Sequence, residues 1–580
     1  MKRNFKSTWP HKDFLVSNSH ANNEFDILYG PPKQAAETKN IFCWPDNSCF
    51  SGYYFDGPHL KLDNENFFDL NGRTGSFTSV VIFNSTVKAC TDIFGMSRLY
   101  LCYADENAWA LTNNYEMGIN WLSTKSGNCI NDQFFIRSLM QPHQVFSQRH
   151  TRYSDINGIR LISLDEKVEI VDGKVNIIKN EHFELLLNES RFSYDELIDK
   201  ATIEIKDNIT AIEKSGLFDD FVTDLSGGID SRLVLSSATH IKDYSSRIKI
   251  RTIDVKNSPD LQISNIISDA LGLKYLSYDY SDQNFMTVES AYNSAVSYFL
   301  GEYHTYGFPA WSNMGANNRV CRLSGGCGEL YRAVNLKKGN IAFGNSMDFS
   351  KNADKPYLGI NIFNNKTASD TLEDEINLLP GNRDKQSELH YIYYRNRLHY
   401  GMRSWDNYHD MPVFHPVVSK YLFMAAMKLT PEERAREKAM LDMTHSLNPL
   451  LPLFPYATKA EIDLDLMSHR ASSNSKITIE GCGDVTRWEK ATQEMIASRQ
   501  MKRRKISEAE AKSWANVNSY IFERALSNLD YIKNNSASLN TALNSIDVNI
   551  LKKAQQTSPS FFRGLAGRLE SFRYQLELFS

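Results

Sequence analysis

Residues 220–238 hold the side chains in this sequence best suited to chemistry. A strand-like stretch, Asp220–Leu225, runs into Ser226-Gly227-Gly228-Ile229-Asp230-Ser231 and on into Arg232–Ala238. These residue types in this order suit the gripping of a phosphate. Two adjacent glycines let the backbone turn sharply and approach a ligand with no Cβ in the way. With a strand at Asp220–Leu225 and a helix at Arg232–Ala238, the amides at the helix start point at an anion. The partial positive charge of the helix end assists them. Ser226 and Ser231 add hydroxyl donors. Asp230 alone would repel phosphate, so its presence calls for a magnesium ion between carboxylate and phosphate. A tight Gly-Gly turn with an aspartate cap is the plainer reading of the same residues.

Close to a hundred residues later, Arg319–Leu323 reads as a strand, and Ser324-Gly325-Gly326-Cys327-Gly328-Glu329-Leu330 follows it. By itself this is either a second ligand loop or a glycine-rich surface turn with an incidental glutamate. The first loop lacks the Gly-Lys-Ser/Thr ending of a Walker loop. It instead resembles the SGGxDS pattern of the PP-loop ATP pyrophosphatases, and the second loop resembles the SGxGxDE loop of the asparagine synthetase family. That resemblance implies ATP held by Leu225, Ser226, Gly227, Gly228, Asp230, Ser231 and Gly325, with Mg²⁺ on Asp230 and Glu329. It also implies a late lysine reaching the pyrophosphate, for which Lys459 in Leu450–Lys459 is the candidate. Asp230, Glu329 and Lys459 would then be the catalytic set. An exposed lysine without a role is the competing reading of Lys459. Arg403-Ser404-Trp405 through Met411–Pro416 resembles the family's R…RxPFLD stretch. Two departures stand out: Glu329 replaces an aspartate, and Gly326 stands where relatives carry a catalytic Glu or Tyr.

Gly75–Phe83 followed by Thr91–Tyr100 resembles the glutaminase pattern GxF…RDxxGxxPLYY, so the likeness spans roughly residues 60 to 460. A working glutaminase of that type needs a cysteine at position 2. Here position 2 is Lys2, and Cys43 and Cys49 lie too far along the chain to replace it. The expectation is a structural remnant that hydrolyses no glutamine. Relatives with the same loss, the β-lactam synthetases and lasso-peptide macrocyclases, adenylate a carboxylate and let an amine on the substrate attack it. The resemblance therefore implies an AMP-forming amide ligase acting on a small molecule or peptide with a carboxylate and an amine, with room for a maturation partner protein. The alternatives are an amidotransferase using free ammonia or a separate glutaminase, on an amino acid or a surface-polysaccharide sugar, and a non-catalytic nucleotide-binding homologue. A tRNA-modifying PP-loop enzyme is a further option that the charge disfavours.

The elements that must position these loops divide the chain in three. The expected class is α/β: an α+β Ntn-like sandwich over 1–185, a parallel-sheet PP-loop synthetase domain over 186–480, and a helical extension over 481–580. Val80–Phe83 and Arg98–Tyr103 read as strands, and Lys167–Ile178 as a hairpin turning at Asp172-Gly173. Apolar residues at helical spacing mark a helix over Tyr194–Lys214. Ile248–Ile253 and Lys274–Tyr278 read as strands around a helix at Leu261–Leu271, which implies parallel pairing. Helices are expected at Tyr421–Leu429, Pro431–Leu441, Glu508–Leu529 and Phe561–Leu578. The aromatic run Tyr292–Trp311 is either helix core or a substrate pocket, and Lys502–Lys505 is a solvated charge run or an RNA contact.

Length and composition agree with this division. At 580 residues, 42% hydrophobic and 23% charged, the chain is a globular protein of several domains. A formal charge of −4 gives no general attraction to nucleic acid or anionic membrane. Eight cysteines without a CxxC pair speak against a zinc site or a disulfide framework. The polar residues after the basic start and the lack of a long apolar run predict a cytoplasmic protein with no membrane span.

Overall fold

The computed structural model describes residues 13–579 apart from 19–24, 30–48, 63–69, 136–147, 253–259, 276–301, 303–318, 334–365, 402–411, 458–507 and the positions 84, 106, 128, 133, 189, 190, 455, 545 and 558. The protein is mixed α/β, with two antiparallel sheets, one parallel sheet and many helices.

The antiparallel part comprises β1 (Phe14–Asn18), β2 (Phe25–Tyr29), β3 (Cys49–Asp56), β4 (His59–Lys61), β5 (Gly75–Phe83), β6 (Thr86–Thr91), β7 (Tyr100–Asp105), β8 (Ala108–Thr112), β9 (Ile159–Leu161), β10 (Glu166–Val171) and β11 (Lys174–Lys179). Their orders are β2-β1-β8-β7-β9 and β11-β10-β6-β5-β3-β4. Side-chain alternation gives each sheet two apolar faces. On β7, Leu101 shares a core with Phe14, Val80 and Val168, while Tyr100 and Cys102 join the core of the helix Tyr115–Ser123. The β10–β11 turn is the one the sequence predicts: Asp172 and Gly173 both take positive φ, 49° and 77°.

The stretch around Asp92 has a structural use here. The buried Asp92 carboxylate accepts hydrogen bonds from the amides of Phe77, Phe94, Met96 and Ser97, which folds residues 92–97 into a tight turn. Burial pushes its pKa up to about 6 even though the amides of Ser97, Met96 and Phe77 pull it down. The turn packs against the second half of the chain: Phe94 meets Phe423 edge-on, and Arg397 donates to Gly95 O at 3.2 Å and to Ile162 O at 2.9 Å.

The helix Tyr194–Lys214 begins the second half. Ser193 and Glu196 close a capping box at its start, and Leu197, Ile198, Ala201, Ile205, Ile209 and Ile212 are buried as their spacing predicts. The parallel sheet follows: β12 (Asp220–Asp224), β13 (Ile248–Arg251), β14 (Lys274–Tyr275), β15 (Val320–Leu323) and β16 (Val413–Phe414), in the order β14-β13-β12-β15-β16. The helix after the first loop starts at Ile229, three residues before Arg232, because Gly228 takes the extended N-cap position. The helix expected over Pro431–Leu441 is instead two, Pro431–Ala435 and Lys438–Leu447, broken where Glu437 adopts φ 63°. Residues Tyr391–Gly401 form a π-helix, which no periodicity announces.

Four C-terminal helices, Glu508–Asn535, Ala537–Leu543, Val548–Thr557 and Pro559–Phe579, share a core of Ile521, Leu529, Leu551, Leu565 and Leu569. The last one docks on the helix Tyr115–Ser123, with Tyr574 donating to Glu116 and Asn120. No disulfide forms among the described cysteines. No helix among the described residues is long and apolar enough to cross a membrane.

Asp224 ties the middle of the parallel sheet together. At the end of β12 it accepts from Arg251 of β13 at 2.7 Å and from Arg322 Nε of β15 at 2.9 Å. Burial would raise its pKa, but Arg322 and Arg251 outweigh that and hold it down at about 2. A depressed carboxylate stabilises the fold fully above its ordinary pKa of 3.8, and the contribution disappears as pH falls through about 2. In urea titrations, the stability gap between wild type and Asp224→Asn should narrow from pH 4 to pH 2. A gap independent of pH would rule out the clamp.

Candidate functional site

From β12 the chain moves outward through β13 and β14, then returns to pair β15 on the other flank of β12. Strand order reverses at that point. Because both strands run the same way, the loops that follow them leave the same edge and face one another across a crevice. In open parallel sheets such a switch point is where ligands bind.

The first loop is braced from within. Ser231 Oγ accepts from the Ser226 amide at 3.1 Å and donates to Gly228 O at 2.9 Å, and the Gly228 amide donates to Ser226 Oγ at 3.3 Å. The Gly227 amide donates to Asp260 Oδ1 at 2.7 Å. An anionic oxygen thus already sits on a loop amide, and a phosphate oxygen would compete with it. Asp260 opens the helix Asp260–Leu271, and nothing in its spacing marks it as a loop partner.

Arg232 anchors a third segment to this loop. Wholly buried, its guanidinium donates to Leu451 O at 3.3 Å and Phe454 O at 2.5 Å and stacks 3.5 Å from the centre of the Tyr456 ring. The Ala457 amide then donates to Gly227 O at 3.1 Å. A Cβ on Gly227 would lie 2.6 Å from Ala457 Cβ, so glycine is required for this approach. Leu450–Phe454, Tyr456 and Ala457 therefore reach this first loop. Lys459 itself lies outside the described residues, as do Arg403–Trp405, Lys502–Lys505 and, apart from Glu302, Tyr292–Trp311.

The second loop lies against the first. A Cβ on Gly325 would come within 2.7 Å of Asp230 O, and one on Gly328 would overlap Asp230 Oδ1 and sit 2.8 Å from Met440 Cε. Glycines at both positions let Asp230 and Glu329 meet. The two carboxylates converge on Arg332, whose Nη2 is 3.1 Å from Asp230 Oδ2 and 3.0 Å from Glu329 Oε1. Its Nη1 donates to Glu437 Oε1 at 2.8 Å. Burial alone would lower the Arg332 pKa, but Asp230, Glu329 and Glu437 together hold it above its ordinary value.

Gly326 has no room for the Glu or Tyr found in the resembled family. A Cβ there would overlap Tyr400 Cδ1 and lie 3.0 Å from Cε1. Tyr400, from the π-helix, fills that space and donates its hydroxyl to Glu329 Oε1 at 2.6 Å. Burial, then the Glu329 charge, raises its pKa, so the phenol stays protonated at neutral pH and acts as a donor. Arg332, Glu437, Tyr400 and Asp260 all escaped the sequence reading. Only Arg332 left a signal, by standing three residues after Glu329 near a helical turn.

These residues fit a magnesium ion that arrives with phosphates. Asp230 and Glu329 are hard oxygen donors, and one cationic nitrogen already sits within about 3 Å of both. Among the described residues, no group of three His, Cys, Asp or Glu side chains is placed to hold a metal ion by itself. Magnesium ordinarily takes one or two carboxylates and completes its shell with phosphate and water. Cys49, a rejected candidate for a glutaminase nucleophile, is fully buried in β3.

No protein-family model matches the chain, and no curated protein is significantly similar to it.

Proposed function

We propose that this chain is an ATP-dependent carbon–nitrogen ligase of the AMP-forming kind, related to the asparagine synthetases. The observation that supports it most is the meeting of Ser226–Ser231 with Ser324–Glu329 at the switch point of a parallel sheet, with Asp230 and Glu329 sharing one cationic partner. On this reading the substrate carboxylate attacks the α-phosphorus of ATP and pyrophosphate leaves. An amine then attacks the acyl carbon, and AMP departs. Ser226, Ser231 and the loop amides hold pyrophosphate, with Leu225 and Gly325 flanking the nucleotide. Asp230 and Glu329 hold Mg²⁺, which neutralises charge on the leaving group when bound. Tyr400 orients Glu329. The two antiparallel sheets are read as an Ntn-type remnant over 1–185, the parallel sheet as the synthetase domain over 186–480, and 481–580 as a helical extension, in a cytoplasmic enzyme.

The test is pyrophosphate release from ATP and Mg²⁺ with candidate acids bearing an internal amine, run with and without ¹⁵N-ammonium. Pyrophosphate release with unlabelled product supports the ligase acting on its own amine. Label in the product would favour the amidotransferase. One observation favours a second reading, a nucleotide-binding homologue without catalysis: Asp260 already occupies the Gly227 amide. ATP binding without pyrophosphate exchange for any acid would point there.

A further inference from the structure

Three carboxylates, Asp230, Glu329 and Glu437, meet at one guanidinium, and the backbone is bent to bring the third one in. Glu437 sits at φ 63°, a left-handed conformation uncommon for a residue with a side chain, and is 1% exposed. It interrupts what would otherwise be one helix from Pro431 to Leu447. Strain of this kind persists only where surrounding contacts hold it, and it gathers at functional sites. The contact here is the Glu437 Oε1 bond to Arg332 Nη1, at 2.8 Å. The other terminal nitrogen, Nη2, faces Asp230 and Glu329.

We infer that Arg332 is the resident cation of this site, holding Asp230 and Glu329 until nucleotide and metal arrive together. The inference rests on the ATP reading for the identity of the ligand. Its physical basis is independent of that reading. A guanidinium cannot leave by losing its proton, so another cation can take Asp230 Oδ2 and Glu329 Oε1 only by displacing it. A divalent ion arriving alone must sit beside the displaced positive charge. A polyphosphate arriving with the ion supplies the anion that the displaced guanidinium needs, and Glu437 keeps Arg332 close enough to donate to it. Metal and nucleotide then bind with positive coupling, each improving the site for the other.

The probe is Mn²⁺ alone, titrated into the full chain without nucleotide and followed by the EPR signal of the free ion. Arg332→Met should bind Mn²⁺ about tenfold or more tightly than wild type, because a unit charge within a few ångströms is gone. Arg332→Lys, which keeps the charge, should stay within about threefold of wild type on the same electrostatic argument. Adding Glu329→Gln to Arg332→Met should abolish the gain. Equal Mn²⁺ affinity in wild type and Arg332→Met would overturn the inference, as would an equal gain in Arg332→Lys. If Arg332→Met fails to fold, Arg332→Gln carries the same expectation with polar contacts retained. Because the measurement uses metal alone, its outcome stays separate from that of the pyrophosphate assay, whose failure would strike the ligase reading instead.

Discussion

Gly328→Ala is expected to lower ATP-dependent pyrophosphate release at least about a hundredfold while leaving the fold intact, on the scale of losing one charge-stabilising group. The added methyl would overlap Asp230 Oδ1 and press within 2.8 Å of both Asp230 Cγ and Met440 Cε. Asp230 is the easier of the two to move: its side chain is 31% exposed, whereas Met440 is wholly buried. The carboxylate would rotate away from the position it shares with Glu329 on Arg332. Asp230→Ala, which removes the carboxylate outright, should fall to the same level. The check pairs pyrophosphate release with a thermal melt of each variant. Full activity in Gly328→Ala would mean that Asp230 does not act from this position. A collapsed melting temperature would mean that the loops are held together more rigidly than their contacts indicate.

Arg232→Ala should cost about 3 kcal/mol of folding stability, combining two lost hydrogen bonds from a charged donor with a lost cation–π contact. The side chain has no exposed surface, and it donates to the carbonyls of Leu451 and Phe454 while stacking on Tyr456. Its removal leaves those carbonyls without that donor and opens a void beside the Ser226–Ser231 loop. The loss follows from denaturant titration, and a change below about 1 kcal/mol would show that the 451–456 segment holds itself in place. Nucleotide affinity should fall as well, because Ala457 reaches Gly227 only through that segment. Arg232→Lys should recover part of the stability, since an ammonium can still donate to carbonyls but lacks the planar face that stacks on Tyr456.

Local patterns in the sequence were read with least loss where one residue type has one dominant conformational use. Asp172-Gly173 specified a tight hairpin, and the apolar spacing over Tyr194–Lys214 specified a helix whose six predicted core positions are all buried. The strand–loop–helix unit around Ser226 was legible for the same reason: the glycines have few other roles between a strand and a buried helix. One expectation went astray where a tertiary contact overrode local preference. Glu437 breaks a run of good helix formers because its carboxylate is held by Arg332, more than a hundred residues earlier in the chain. The π-helix at Tyr391–Gly401 carries no signature of its own, since its extra residue per turn blurs the hydrophobic period.

The sequence alone determined the phosphate-loop candidate and the alternation of strand and helix that makes a parallel sheet, both written in residue type and short spacing; the pairing of Asp230 with Glu329 came only from the family resemblance. Only the tertiary structure decided that the two loops meet, because their adjacency depends on β15 pairing with β12 and not with β14. It also decided the company they keep. Asp260, Tyr400 and Glu437 come from three different elements, and Arg332, although three residues after Glu329, meets Asp230 and Glu437 only in the fold. Contacts between distant segments cost chain entropy that no local pattern records, so side chains gathered in that way become visible only once the fold is formed.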